Sequence, residues 1–515
     1  MRARTKTPAL ALGCLWAAWS SLACSPEREA EAHSAPDESA QPQEVDRSSP
    51  PASEASPQAP TPAEPADSKP AAEEPAKPRV YAKSRFVWIR EYPSSEVQWI
   101  GYLWTGGSVA LKSDQTYYGP GCEHWYAVEP AGYVCVDGKR ATLDPNDEVY
   151  KALVPYAGDL SSAWPHHYGE SRGLPRFTTV PPAEHLPAPL GSNGSNGVPS
   201  HGAIRQLSAN PFESLSLPGP VHEGRTRLLP RSTVAYSAEL ARPEHPLLLA
   251  ADMTWVPKDR VTPYPKVTFK GVELGGDVSL PLAFFRGKDR PEYALSPSGE
   301  LSETGGVFKR LSYVELTGES IRVGDDVYLQ VKSRPVYVKQ SDAVLPQPRE
   351  KTPWGTRVGS NDTTGHPKGR ATWMEASVWG GWLIAYEGTK PVYVTMISPG
   401  RGGTPVPGKD PLETASTPTG NFPISGKFAT ATMEAPGEYI HSDVPWTQNF
   451  SGPHALHGAY WHDDWGKLKS AGCVNVSPLD GRWLFEFTEP AVPDGWHGVR
   501  WLPSKGPATL FVIHR

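Results

Sequence analysis

The chain is short of cysteine, with 5 in 515 residues, and nearly balanced in charge, with 50 Lys and Arg against 56 Asp and Glu for a net −6. That balance offers no basic field for nucleic acid. No H-E-x-x-H and no Cys-x-x-Cys spacing occurs, so the common zinc patterns are missing and no metal is expected. Beyond the N-terminus no stretch approaches about 20 continuous apolar residues, the length that a membrane-spanning helix needs. Residues 25–79 lack aromatic residues, Leu and Ile, and hold a single valine, Val45. Such a segment cannot bury enough apolar surface to offset its ordering entropy, and it reads as a disordered tether stiffened by proline. Proline and glycine are what the chain has in quantity, 57 and 48. They disfavour a helical bundle and predict a mainly β, turn-rich protein with linkers, long enough for three or four domains.

Residues 1–24 combine the basic Arg2, Arg4 and Lys6 with an apolar run from Ala9 to Trp19 and the box Ser21-Leu22-Ala23-Cys24. This is the pattern of a secretory signal. The small residue before Cys24 resembles a bacterial lipoprotein cleavage box, which implies lipidation of Cys24 and membrane anchoring; ordinary signal-peptidase cleavage is the alternative. In an exported chain Cys122 and Cys135 make a plausible disulfide, and Cys473 is left as the odd thiol. An unpaired thiol in an oxidising compartment is more easily explained by chemistry than by packing.

Cys473 lies in Ser470-Ala471-Gly472-Cys473-Val474-Asn475, sixteen residues after the pair His457-Gly458. A thiol attacks as thiolate, so it needs a base nearby, and a flanking glycine lets backbone N–H groups approach a developing oxyanion. With the upstream turn Thr417-Pro418-Thr419-Gly420, these residues resemble the signature of the L,D-transpeptidases, whose YkuD-type catalytic domain cross-links peptidoglycan. The match covers roughly residues 370–515. It departs at Ala471, where the family carries a second histidine, and base duty then falls on His457.

The resemblance implies that Cys473 is the nucleophile and His457 the base. It further implies that the Gly458 carbonyl fixes the His457 ring, that N–H groups around Gly472 and Cys473 form the oxyanion hole, that Ser470 and Asn475 support the loop, and that His441 borders the substrate cleft. Peptidoglycan stem peptides are the implied partners, carbapenems the implied inhibitors, and the cell envelope or periplasm the implied location. No cofactor is implied. A carboxypeptidase or murein hydrolase on the same fold differs only in its acceptor, and a non-catalytic peptidoglycan-binding lipoprotein is the non-enzymatic alternative. A metal bound by His441, His454, His462, Asp463 and Asp464 lacks a supporting spacing, and the last three read as solvated charge in the loop between base and nucleophile.

Between tether and catalytic domain, residues 80–143 hold short aromatic and apolar runs, such as Val87-Trp88-Ile89 and Trp125-Tyr126-Ala127-Val128, broken by Pro, Gly and Asp. They resemble a bacterial SH3-like β-barrel module, to which a Cys122–Cys135 bridge would add stability. Related patterns recur at 250–261 and 328–344, so residues 216–345 read as one or two further SH3-like units. Residues 144–215 read as linker or unassigned. Within 370–515, Gly381–Tyr386 and Pro391–Ser398 predict a β-hairpin. Ser477-Pro478-Leu479-Asp480 predicts a helix start, with Leu479, Trp483 and Phe487 on one face.

Overall fold

Strand-forming aromatic and β-branched runs punctuated by Gly and Pro dominate the molecule, and its described residues are 44% strand and 8% helix, the mainly β class expected. The structure, a computed structural model, describes residues 77–190, 203–218, 226–434 and 439–515. Cys24 and nearly all of the 25–79 segment lie outside the described residues. Strands from Arg79–Ala82 to Ala141–Thr142 pair antiparallel around Val80, Ile89, Leu103, Val109 and Val128. Cys122 and Cys135 are joined across two of these strands, with Cα atoms 5.9 Å apart.

Residues 144–215 are not a linker. They contribute helix Glu148–Leu153 and strands His167–Pro175 and Arg205–Leu207. Strand His167–Pro175 pairs with Arg227–Leu240, so a boundary at 216 cuts through a six-stranded sheet that runs on to Pro263. The strand was hard to read because Tyr168 and Leu174 alone carry its large buried apolar side chains, among Gly, Ser and Pro. A separate seven-stranded sheet spans Leu282–Phe285 to Ala343–Val344. The recurrence survives in form at two places. Trp255–Pro257 and Tyr337–Lys339 each pass through one 3₁₀ turn into a short strand, whereas 125–136 is a plain hairpin.

Two sheets of the 370–515 segment enclose a core of Met374, Leu383, Tyr393, Leu456, Val474, Leu484 and Phe511. Neither sheet is confined to that segment. Val272–Glu273 pairs with Lys390–Met396 on one side, and on the other Gly498–Arg500 pairs with Trp99–Leu103 of the first unit. The predicted hairpin forms from Trp382–Glu387 and Lys390–Met396. The predicted helix runs Pro478–Phe487, with the Ser477 side chain accepting from the Asp480 N–H. Its buried face is rotated from the expected one: Gly481, Leu484 and Phe485 are buried with Phe487, while Leu479 and Trp483 are half-buried. Gly481 sets this packing, because a Cβ there would stand 3.2 Å from the Cα of Gly458.

Candidate active site

Strand His454–Gly458 lies parallel to Val474–Val476, with Leu456 opposite Val474 and His457 opposite Asn475. This register brings His457 abreast of the residue two past Cys473, and Cys473 stands just ahead of its strand. Ser470 closes the loop: its Oγ donates to the Cys473 carbonyl at 2.5 Å and accepts from the Gly472 N–H at 3.1 Å. The Gly472 N–H, expected to face an oxyanion, thus serves the turn in this structure. Asn475 and Ser398 exchange backbone bonds of 2.8 and 3.0 Å, and the Arg401 N–H donates to the Ser470 carbonyl at 2.8 Å. Gly472 has φ +130°, and a Cβ there would meet His454 Nε2 at 2.8 Å and the Ser416 carbonyl at 2.9 Å. A side chain at 472 would force His454 or the Ser416 backbone to move.

Both members of the central pair are uncharged near neutral pH. Cys473 is half-buried, and burial pushes its thiol up while the Ala455 N–H pulls it back. His457 is 2% exposed, and burial lowers it to about 4 against the pull of the Gly458 carbonyl. Its Nδ1 lies 3.4 Å from that carbonyl, a loose contact in which Nδ1–H donates and Nε2 keeps its lone pair. Gly458 itself is packed close, since a Cβ would meet Pro445 and the Pro478 Cα at 3.2 Å.

His441 stacks on Trp461, with centroids 4.1 Å apart and 7° between planes, and Trp461 leans on His457 at 5.7 Å. Burial, then His457 and His462, lower His441 to about 3. His462 is not solvated loop charge. It is half-buried, with Nε2 3.1 Å from Asn475 Nδ2 and Nδ1 accepting from the Asp464 N–H at 3.2 Å. Burial and Lys469 hold it at about 4. The loop turns inward because Tyr460 and Trp465, at 1% and 0% exposure, are drawn into the core. Asp463 instead pairs with Arg310 at 2.8 Å, and Asp464 with Lys467 and Lys469. Among the described residues no group of three His, Cys, Asp or Glu is arranged to hold a metal ion.

Sequence reasoning missed two supports. Asp480, read only as a helix-start acid, is fully buried and accepts from the Gly271 N–H at 2.7 Å, Tyr393 OH at 2.7 Å and Thr395 Oγ1 at 2.6 Å. Burial raises its carboxyl while those bonds oppose the rise. Trp461 was the second, and its place three residues after Gly458, in the run Tyr460-Trp461-His462, was the available signal.

A family model described as the L,D-transpeptidase catalytic domain, YkuD, matches residues 381–495. No curated protein matches the chain. Among solved structures the chain is similar to an L,D-transpeptidase from Xylanimonas cellulosilytica DSM 15894, at 20% identity over 30% of this chain and 65% of that one, with a TM-score of 0.21. It is also similar to the catalytic domain of the Enterococcus faecium L,D-transpeptidase, at 22% identity over 28% of this chain and 96% of that one, TM-score 0.21. A third is an L,D-transpeptidase from Mycobacterium tuberculosis H37Rv, at 16% identity over 39% and 77%, TM-score 0.21. The chain therefore spans 65% of the first of these proteins, and at such TM-scores the likenesses carry no weight for function. The family model is the finding that counts: residues 381–495, which contain His441, His457, Gly458, Ser470, Gly472, Cys473 and Asn475, match the YkuD L,D-transpeptidase catalytic domain.

Proposed function

We propose that the protein is a peptidoglycan L,D-transpeptidase acting through a thioester on Cys473. The observation that carries this reading is the pairing of the His457 strand with the strand that Cys473 leads into, inside the segment that matches the family. Because thiol and imidazole are both neutral at rest, the reaction begins with proton transfer, not from a preformed ion pair. His457 Nε2 takes the thiol proton as the sulfur attacks the carbonyl of the third residue of a tetrapeptide stem. The terminal D-amino acid leaves with a proton from His457, and the stem remains as a thioester. His457 then deprotonates an acceptor amine, which attacks the thioester carbonyl, forms the cross-link and restores the thiol. Backbone N–H groups of the Cys473 loop stabilise the oxyanion, and that of Gly472 joins them only by releasing Ser470 Oγ.

The same reading carries the envelope location with anchoring through Cys24, stem peptides as partners, and acylation of Cys473 by carbapenems, whose strained carbonyl a thiolate opens. Incubating the purified protein with disaccharide-tetrapeptide tests it. Cross-linked dimers support the transpeptidase, tripeptide alone marks a carboxypeptidase, and no product together with no carbapenem adduct on Cys473 favours a non-catalytic binding protein.

A further inference from the structure

Strand Arg227–Leu240 of the upstream six-stranded sheet is bonded to strand Ile440–Ser451 on both sides of His441. Ser232 Oγ accepts from the Ile440 N–H at 3.1 Å, Thr233 Oγ1 accepts from the Ser442 N–H at 2.9 Å, and Ser442 Oγ donates to the Thr233 carbonyl at 2.8 Å. Tyr460 adds a buried clamp, its OH 2.6 Å from Thr233 Oγ1 and its ring stacked on Tyr168 at 3.7 Å. The upstream sheet is therefore fixed relative to the site.

Beside these bonds the pairing with His167–Pro175 shifts register between Pro230 and Thr233, and Arg231 adopts φ +70°. A bulge of this kind re-aims a side chain, and a non-glycine residue in the left-handed region carries backbone strain of a kind that tends to persist at functional sites. The re-aimed guanidinium is exposed and lies over the Tyr439 ring at 5.5 Å. Tyr439 meets His441 at 5.3 Å, and the stack continues through Trp461 to His457. A wall of rings thus leads from the base to a cation that makes no ion pair among the described residues.

Resting on the function proposed above, we propose that Arg231 is a subsite for a carboxylate of the bound peptide, one removed from the attacked carbonyl. The planar fork of a guanidinium matches a carboxylate in two hydrogen bonds. An extended peptide advances about 3.3–3.6 Å per residue, so a wall several rings long suits a charge borne by another residue of the stem. Tyr439 and His441 hold the intervening chain against an apolar face, and the upstream sheet becomes a specificity element of the site.

The test titrates the full chain carrying Cys473→Ala with disaccharide-tetrapeptide and with the same peptide amidated at its side-chain and α-carboxyl groups, by calorimetry. Adding Arg231→Ala should weaken binding of the acid form by about tenfold or more, the scale of one charge-assisted hydrogen bond, and leave the fully amidated form unchanged. Arg231→Lys should recover part of the loss, and in the intact enzyme Arg231→Ala should raise KM with kcat kept. Equal affinity of both proteins for the acid form, or an equal loss for both peptides, would overturn the subsite. Tight, Arg231-dependent binding without turnover by the intact enzyme would overturn the transpeptidase reading and leave the subsite standing.

Discussion

Two regions of this molecule treat sulfur in opposite ways. In the first unit Cys122 and Cys135 are spent on a covalent tie between neighbouring strands, in a barrel-sized fold with a modest core. In the catalytic segment Cys473 stays free, and its loop is held by Ser470, Asn475, Ser398 and Arg401 through hydrogen bonds alone. A small β unit gains from a staple because its core is limited, whereas a thiol proposed as a nucleophile cannot be stapled and must borrow rigidity from its neighbours. Much of that borrowed rigidity comes from outside the segment. Gly271 donates to Asp480, and Ser232 and Thr233 grip the strand that bears His441.

Breaking the contrast at its sharpest point, Cys473→Ala should abolish both cross-linking and release of the D-amino acid while leaving the thermal unfolding midpoint in place; retained turnover would remove Cys473 from its role. His457→Ala should lower kcat on the order of 10² or more and slow Cys473 alkylation, measured with iodoacetamide across pH. Asp480→Ala leaves three donors without an acceptor and should cost roughly 4 kcal/mol of stability in urea unfolding. Unaltered stability there would mean that the loop's support lies elsewhere. Replacing Cys122 and Cys135 together by serine should cost roughly 3 kcal/mol, with turnover of the folded protein unchanged. A loss of turnover in folded protein would show that the two regions are coupled more closely than their separate chemistry implies.

The most gradual effect, spread over more than two pH units, is on acid stability. Burial holds His166, His457 and His462 at about 4, and His441 and His497 at about 3. Unfolded imidazoles take up protons near 6.5 while these stay neutral, so the unfolded state binds more protons between pH 6.5 and 4. Stability is therefore full above about pH 6.5 and should fall as the pH drops through that window, by at most about 1.4 kcal/mol per pH unit for each histidine. A flat profile from pH 7 to 4.5 would show that these rings are hydrated.

Local chemistry in the sequence determined the mainly β class, the 382–396 hairpin, the Ser477 cap and the spacing of Cys473 from His457, because strand alternation, turn residues and capping act over a few neighbours. Where the domains end was not legible. Strand His167–Pro175 carries too few apolar residues to announce itself, and a two-residue strand at Val272–Glu273 has no period at all; both exist because another edge needed pairing. The inward turn of His462, the rotated helix face and the burial of Asp480 likewise depend on partners hundreds of residues or several strands away. Arg231 is the clearest case. Nothing around it in the sequence marks an active-site neighbour, and only the bulge opposite His167–Pro175 and the bonds from Ser232 and Thr233 bring its charge to the end of the ring wall. Tertiary contacts decided these features because a hydrogen-bond edge or a buried surface is satisfied by whatever the fold places against it, and chain order does not encode that placement.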